Sequence, residues 1–285
     1  MLLKRVDPRI FHTQPGASQC SLQMRYLGTA GFVVEGEGHT LVLDPYVSRP
    51  DLVSLLVKRL VPNDALIERL IPYADDVLVG HAHIDHILDA PSLCERTSSR
   101  LIGSPAVCNV GRAAGMSEDM LVQTQGREDI TSGPALIRGL PARHGKVYFN
   151  RVSLPGDIPE PPPWPPRTRE LRHGLVLNWY VELAGVRVVH VDSADFIEEE
   201  LAGITADVVC LCAIGRRYRP NYVADAVRLL KPKVIVPCHW DYFCTPYDAP
   251  PRLLPQVDLD GMVSEIHAHG VQAAVLPFDG VLGMG

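Results

Sequence analysis

Six consecutive residues, His81-Ala82-His83-Ile84-Asp85-His86, place three imidazoles and a carboxylate in one short stretch. Nitrogen and carboxylate donors of this kind suit zinc and similar divalent ions. In a tight loop, residues two apart (His81 and His83) can converge on one ion, while Asp85 and His86 turn towards a second. Two neighbouring ions can hold a bridging hydroxide, the arrangement of metal-assisted hydrolysis. Four side chains cannot saturate two ions, so distant partners are required. Three candidates stand where a predicted strand gives way to a loop: His144 after the strand Ala135 to Leu140, Asp192 closing Val-Arg-Val-Val-His-Val-Asp, and His239 after Val-Ile-Val-Pro-Cys.

The elements that must carry these residues are mixed. Gln23 to Val34 and Thr40 to Asp44 are apolar and β-prone, and the intervening Glu-Gly-Glu-Gly predicts a hairpin. Asp51 to Leu60 and Asp64 to Ile71 carry apolar residues at helical spacing, with Pro62 between them and Asn63 or Asp64 as a cap. Asp76 to Gly80 predicts a short buried strand, which puts the histidine run on the loop at its end, before a helix opened by Pro91. Strands are expected at Arg100 to Ile102, Ala135 to Leu140, Leu175 to Leu183, Val186 to Val191, Val208 to Ala213, Val234 to Val236 and Val271 to Leu276. Helices are expected at Ala106 to Ala114, Tyr222 to Leu230 and Leu259 to His269. Leu154 to Pro166 has seven prolines in thirteen residues and must be a loop. It is either a surface linker or a semi-rigid flap whose Trp164, with Arg167, Arg169 and Arg172 nearby, touches substrate.

A chain of 285 residues with 46% hydrophobic and 21% charged residues can bury a sizeable core. The net charge of -6 makes nucleic acid an unlikely partner, since phosphate neutralisation usually needs a basic face. A small-molecule substrate is expected instead. Charge and proline follow Leu2 and Leu3 at once, leaving no apolar stretch for a signal peptide or membrane span there. Seven cysteines without paired spacing fit a reducing, cytoplasmic setting without disulfides.

The sequence resembles the metallo-β-lactamase fold superfamily, in particular its hydrolase branch with L-ascorbate-6-phosphate lactonase. Three motifs carry the likeness: Tyr26-Leu-Gly-Thr-Ala-Gly-Phe with Leu41-Val-Leu-Asp-Pro-Tyr as the opening hairpin, Val77 to His86 as the metal loop, and Lys233-Val-Ile-Val-Pro-Cys-His-Trp-Asp as the last ligand strand. The resemblance implies an α/β fold, a four-layer αββα sandwich forming a single domain over 1–285, with a helical insertion at about 51–71. It implies that His81, His83 and His144 hold one metal, that Asp85, His86 and His239 hold a second, and that Asp192 bridges both. The family usually has glycine before the bridging aspartate, where this chain has Val191, and Asp195 is the alternative bridge.

Neighbouring residues have two readings each. His190 is either a core histidine or a support for the metal ligands; Asp44 either opens a turn or hydrogen-bonds a ligand histidine. Asp241 and Tyr242 can orient His239 or a substrate. Cys210, Cys212 and Cys238 read as buried small hydrophobes rather than a thiolate site. His12, His39, His173, His267 and His269 lack ligand spacing. Arg143, Lys146 and the 167–172 arginines are candidate anion contacts.

The expected function is therefore a metal-dependent hydrolase using two divalent ions, zinc first and manganese or iron as alternatives, on an ester-type or phosphate-ester small molecule such as a lactone or phosphodiester. Asp85 is the expected catalytic residue, orienting the attacking oxygen and relaying its proton. The rivals are an iron-dependent redox or oxygenase protein on the same fold, and a non-catalytic metal-binding module.

Overall fold

The computed structural model describes residues 3–12 and 20–285. Two seven-stranded sheets form its centre. The first contains β1 (Leu22–Gly28), β2 (Gly31–Gly36), β3 (His39–Leu43), β4 (Asp76–Val79), β5 (Arg100–Gly103), β6 (Leu121–Gln123) and the last strand, β14 (Val281–Met284), in the order β14-β1-β2-β3-β4-β5-β6. The second contains β7 (Asp129–Ser132), β8 (Ala135–Ala142), β9 (Val176–Leu183), β10 (Val186–Val191), β11 (Val208–Cys212), β12 (Val234–Cys238) and β13 (Gln272–Ala273), ordered β13-β12-β11-β10-β9-β8-β7. In each sheet three antiparallel pairings at one side are followed by three parallel ones.

Side-chain alternation explains the layers. Along β2 to β5, Phe32, Val34, Leu41, Leu43, Leu78 and Ile102 face one way and pack against the second sheet, with Leu177, Trp179 and Val181 opposite. The intervening Val33, Val42, Val77 and Leu101 face the other way, onto α2 (Asp64–Leu70), α4 (Ala90–Thr97) and α5 (Pro105–Ala113). The outer face of the second sheet is covered by α7 (Tyr222–Leu230) and α8 (Leu259–Ala268), through Val223, Ala226, Met262 and Ile266. The result is the expected αββα order. Three shorter helices complete it: α1 (Leu52–Val57), capped by Asp51, α3 (Ile84–Ile87) and α6 (Glu198–Leu201).

Several expectations are corrected. The apolar run from Gln23 to Val34 is two strands, because Gly28 and Thr29 both adopt positive φ and turn the chain. The edge strands β6, β7 and β14 were not anticipated, and β13 is only two residues of the apolar stretch 271–276. Asn63 is the residue that caps α2. The second half of the histidine run is a helical turn rather than loop.

Candidate metal centre

Parallel strands end at the same edge of a sheet, and this topology gathers the distant residues. Asp44 follows β3 and His81 follows β4, which run in parallel. Asp192 follows β10 and His239 follows β12, which flank β11 in parallel register. One antiparallel strand, β9, separates β8 from β10, so β8 runs with β10 and delivers His144 to the same edge. His83 is extended, which keeps His81 and His83 on one side of the chain. It then starts α3 by accepting from the amides of His86 and Ile87, and that turn carries Asp85 and His86.

Hydrogen-bond partners fix the state of the first cluster. His81 Nδ1 lies 2.5 Å from Asp192 Oδ2, His144 Nδ1 lies 2.8 Å from the Gly145 carbonyl, and His83 Nε2 lies 3.3 Å from the Leu154 carbonyl. All three partners accept, so these nitrogens carry the protons and donate. The opposite nitrogens, His81 Nε2, His83 Nδ1 and His144 Nε2, then hold lone pairs, and His83 Nδ1 sits 3.1 Å from each of the other two. Three lone pairs facing one another without a proton between them repel unless a cation lies among them. Burial and the neighbouring imidazoles hold His81 far below its ordinary value. Burial, chiefly, brings His83 down to about 4 and His144 to about 3.

The second cluster is more acidic. His86 Nδ1 donates to Asp44 Oδ2 at 2.8 Å, which turns His86 Nε2 towards Asp85 Oδ2 at 3.9 Å, and His239 Nε2 lies 3.2 Å from that same oxygen. Burial alone would depress His86, but Asp85, Asp44 and Asp192 outweigh it and raise His86 to about 9. Burial would likewise raise Asp85, yet His86 and His239 hold it well below the usual carboxylate range. Asp192 lies between the clusters. Its Oδ2 is 3.8 Å from His86 Nδ1 as well as paired with His81, and its buried Oδ1 has no hydrogen-bond partner. The donor atoms of His81, His83 and His144, of Asp85, His86 and His239, and of His81, His86 and Asp192 form three overlapping groups, each compact enough to hold an ion. An orphaned carboxylate oxygen, converging lone pairs and an excess of acid around His86 are what divalent cations satisfy, so the residues fit the metal.

The supporting residues sort clearly. Asp44 takes the second of its readings, accepting from the Gly80 amide at 2.8 Å while orienting His86. Asp241 accepts from Tyr26 and from the Thr29 amide at 2.7 Å each and pairs at 2.5 Å with Arg49, both partners being fully buried. Thr29 in turn accepts from the His239 amide at 2.5 Å, so this unit braces His239, whose φ is +52°. Tyr242 packs on Phe243 instead. His190 is a core histidine donating to the Ala30 carbonyl at 2.8 Å. Asp195, the alternative bridge, is turned to Arg219 at 3.3 Å. Cys210, Cys212 and Cys238 are buried in β11 and β12, and burial pushes all three thiols up, away from the thiolate that a metal needs.

His173 differs from the other histidines without ligand spacing: its ring stacks 5.5 Å from that of His144 and lies 5.8 Å from that of His83. Its carbonyl also accepts from the Ala82 amide. Ser193, also unanticipated, accepts from the Gly145 amide at 2.8 Å and steadies the His144 loop. The adjacency of Ser193 to Asp192 was the only signal for it.

The cluster opens into a cavity of about 340 Å³ that α1 and the loops after β8 and β12 enclose. Arg167, Arg169 and Arg172, which follow the proline-rich segment, do not line it. Arg167 donates to the Val57 carbonyl and Arg172 to that of Pro155, while Trp164 packs in the helical layer. Arg143 and Lys146 point to solvent. From that segment the cavity receives Leu154, whose carbonyl meets His83.

Comparisons with known proteins agree with this architecture. The chain is 28% identical over 243 residues to a "UPF0173 metal-dependent hydrolase" of Anaeromyxobacter sp. (strain K), covering 81% of this chain and 78% of the relative. It is 25% identical over 232 residues to a protein of that description from Methanopyrus kandleri, covering 78% and 85%. Among solved structures, Igni18, described as a metallo hydrolase from Ignicoccus hospitalis, superposes with a TM-score of 0.60 at 20% identity, over 93% of this chain and 98% of the other. CmlA, described as a diiron β-hydroxylase from Streptomyces venezuelae, also gives 0.60, at 14% identity, over 96% of this chain and 55% of the other. The family described as "Beta-lactamase superfamily domain" matches residues 23–239, a span running from β1 to the last candidate ligand, and the chain belongs to that family.

Proposed function

We propose that the chain is a metal-dependent hydrolase of small ester-type or phosphate-ester molecules. In this reading His81, His83 and His144 hold one divalent ion, Asp85, His86 and His239 a second, and Asp192 is shared between them. The single observation that carries it is the convergence of the three unprotonated imidazole nitrogens beside an acidic cluster. Nitrogen and carboxylate donors suit zinc, and manganese or iron fit the same set. Bound there, such ions bring the pKa of water towards neutrality and polarise the oxygen of the scissile group.

The protein's own part falls to Asp85 and the braces around it. Asp85 keeps 15% of its side chain exposed at the cavity floor and stays ionised, so it can accept the proton of an attacking water. His239, held by Thr29, fixes that carboxylate by the 3.2 Å contact. The open cavity against the cluster favours a catalytic over a closed structural ion. The likeness to a diiron hydroxylase, at 14% identity, is one of fold alone.

The test is Asp85→Asn, which preserves size and an oxygen donor while removing the base. It should retain the circular-dichroism spectrum and lower kcat by about 10²–10⁴-fold on any ester or phosphodiester that the wild type cleaves. A variant with full metal occupancy and the wild-type rate contradicts the role.

A further inference from the structure

Apart from the candidate ligands, the side chains that line the cavity are a few hydroxyls, the Cys212 thiol and hydrocarbon. Leu52 and Leu56 of α1 form one wall, Val147 and Tyr148 after β8 a second, and Phe243 and Leu254 beyond β12 a third. Among the described residues, no lysine or arginine lines it. Arg167 and Arg172 donate to backbone carbonyls, Arg143, Lys146 and Arg169 are exposed outside the lining, and Arg49 is closed inside its pair with Asp241. Away from the metal cluster, a phosphate or sugar acid placed here would lose its water against hydrocarbon and find no lysine or arginine in the lining to pair with, which is costly.

The apolar wall also continues outward. Leu56 is 74% exposed at the cavity edge, and Phe149, next to the lining residue Tyr148, is 86% exposed. Exposed leucines that lead into an apolar cleft gain from covering by a hydrocarbon group, and the gain grows with each methylene buried.

Building on the hydrolase reading, we propose that the substrate is an uncharged carboxylic ester or lactone with a hydrocarbon arm. The arm lies along Leu52 and Leu56 while the carbonyl faces the metal cluster. This subsite sets specificity by chain length and rejects anionic phosphate esters.

Two measurements test it. In zinc-loaded protein, kcat/KM should rise at least about tenfold from p-nitrophenyl acetate to the octanoate, and bis(p-nitrophenyl) phosphate should be cleaved more slowly than the octanoate. Leu56→Ser should lower the octanoate-to-acetate ratio about fivefold or more, and because Leu56 is mostly exposed the variant should fold. The second measurement is independent of turnover: by calorimetry on metal-free protein, octan-2-one should bind at least about tenfold more tightly than butan-2-one, with the difference reduced in Leu56→Ser. Ester turnover with no chain-length preference, equal binding of the ketones, or a preference for the phosphodiester overturns the subsite and leaves the hydrolase reading standing. Chain-length-dependent ketone binding without turnover of any ester or phosphodiester supports the subsite and counts against the hydrolase reading.

Discussion

A neutral imidazole has one proton, and where it sits decides what the ring can do. At His81, His83 and His144 that proton is drawn outward by Asp192, Leu154 and Gly145 respectively, which leaves the inward nitrogens as donors to a cation. The arrangement tolerates little extra volume. A methyl group on Gly80 would stand 2.2 Å from Asp192 Oδ2 and 2.9 Å from the Leu177 carbonyl oxygen, so the carboxylate would have to move. Gly80→Ala should therefore keep the fold but lose at least one bound ion per chain and most of the activity, as measured by elemental analysis beside a rate assay. Full metal content at the wild-type rate would show that Asp192 does not need its observed position. His81, His83, Asp85 and His86 were legible because they are adjacent and chemically alike. Arg49 was not, because its partner Asp241 lies 192 positions away and becomes a neighbour only through the fold.

Elements carry the ligands, and loops between them are anchored by buried polar groups. Asp89, just before α4, accepts at one oxygen from the amides of Val47 and Ser48 at 2.6 and 2.8 Å and so ties the loop after β3 to the helix after the metal run. Burial, opposed by those bonds, raises its carboxyl from 3.8 to about 6. Between these values the folded chain retains a proton that the unfolded chain has lost, so this group's contribution to stability falls as pH rises and is constant above the upper value. At roughly 1.4 kcal/mol per unit the loss is about 3 kcal/mol. Asp89→Asn keeps an acceptor for both amides and does not titrate. In urea melts of metal-free protein, the stability of the variant relative to wild type should rise by about 2 kcal/mol from pH 4 to pH 7; a pH-independent difference would contradict the burial argument. Strand positions were readable from apolar runs such as Val208 to Cys212, while β6, half-exposed and three residues long, and β7, polar at alternate positions, left no such run. The turn at Gly28 and Thr29 was hidden because the residues on both sides are equally apolar.

The molecule as a whole is built from two sheets with the same succession of antiparallel and parallel pairings, and the candidate site lies where their strand ends meet. The first sheet contributes His81, His83, Asp85 and His86; the second contributes His144, Asp192 and His239. This near-repeat left no trace in the sequence because the shared feature is strand direction, which many apolar sequences satisfy. Hydrogen bonds from Leu177 to the Gly80 carbonyl and from His239 to the Thr29 carbonyl join the sheets at this edge, and ions held by both would bind them together further and resist unfolding. The most direct measurement is metal stoichiometry by elemental analysis after loading with zinc and desalting, on the wild type, His83→Ala and His239→Ala. The account predicts two ions per chain in the wild type and about one or fewer in each variant. A wild type that retains none, or variants that retain as much as the wild type, would contradict it.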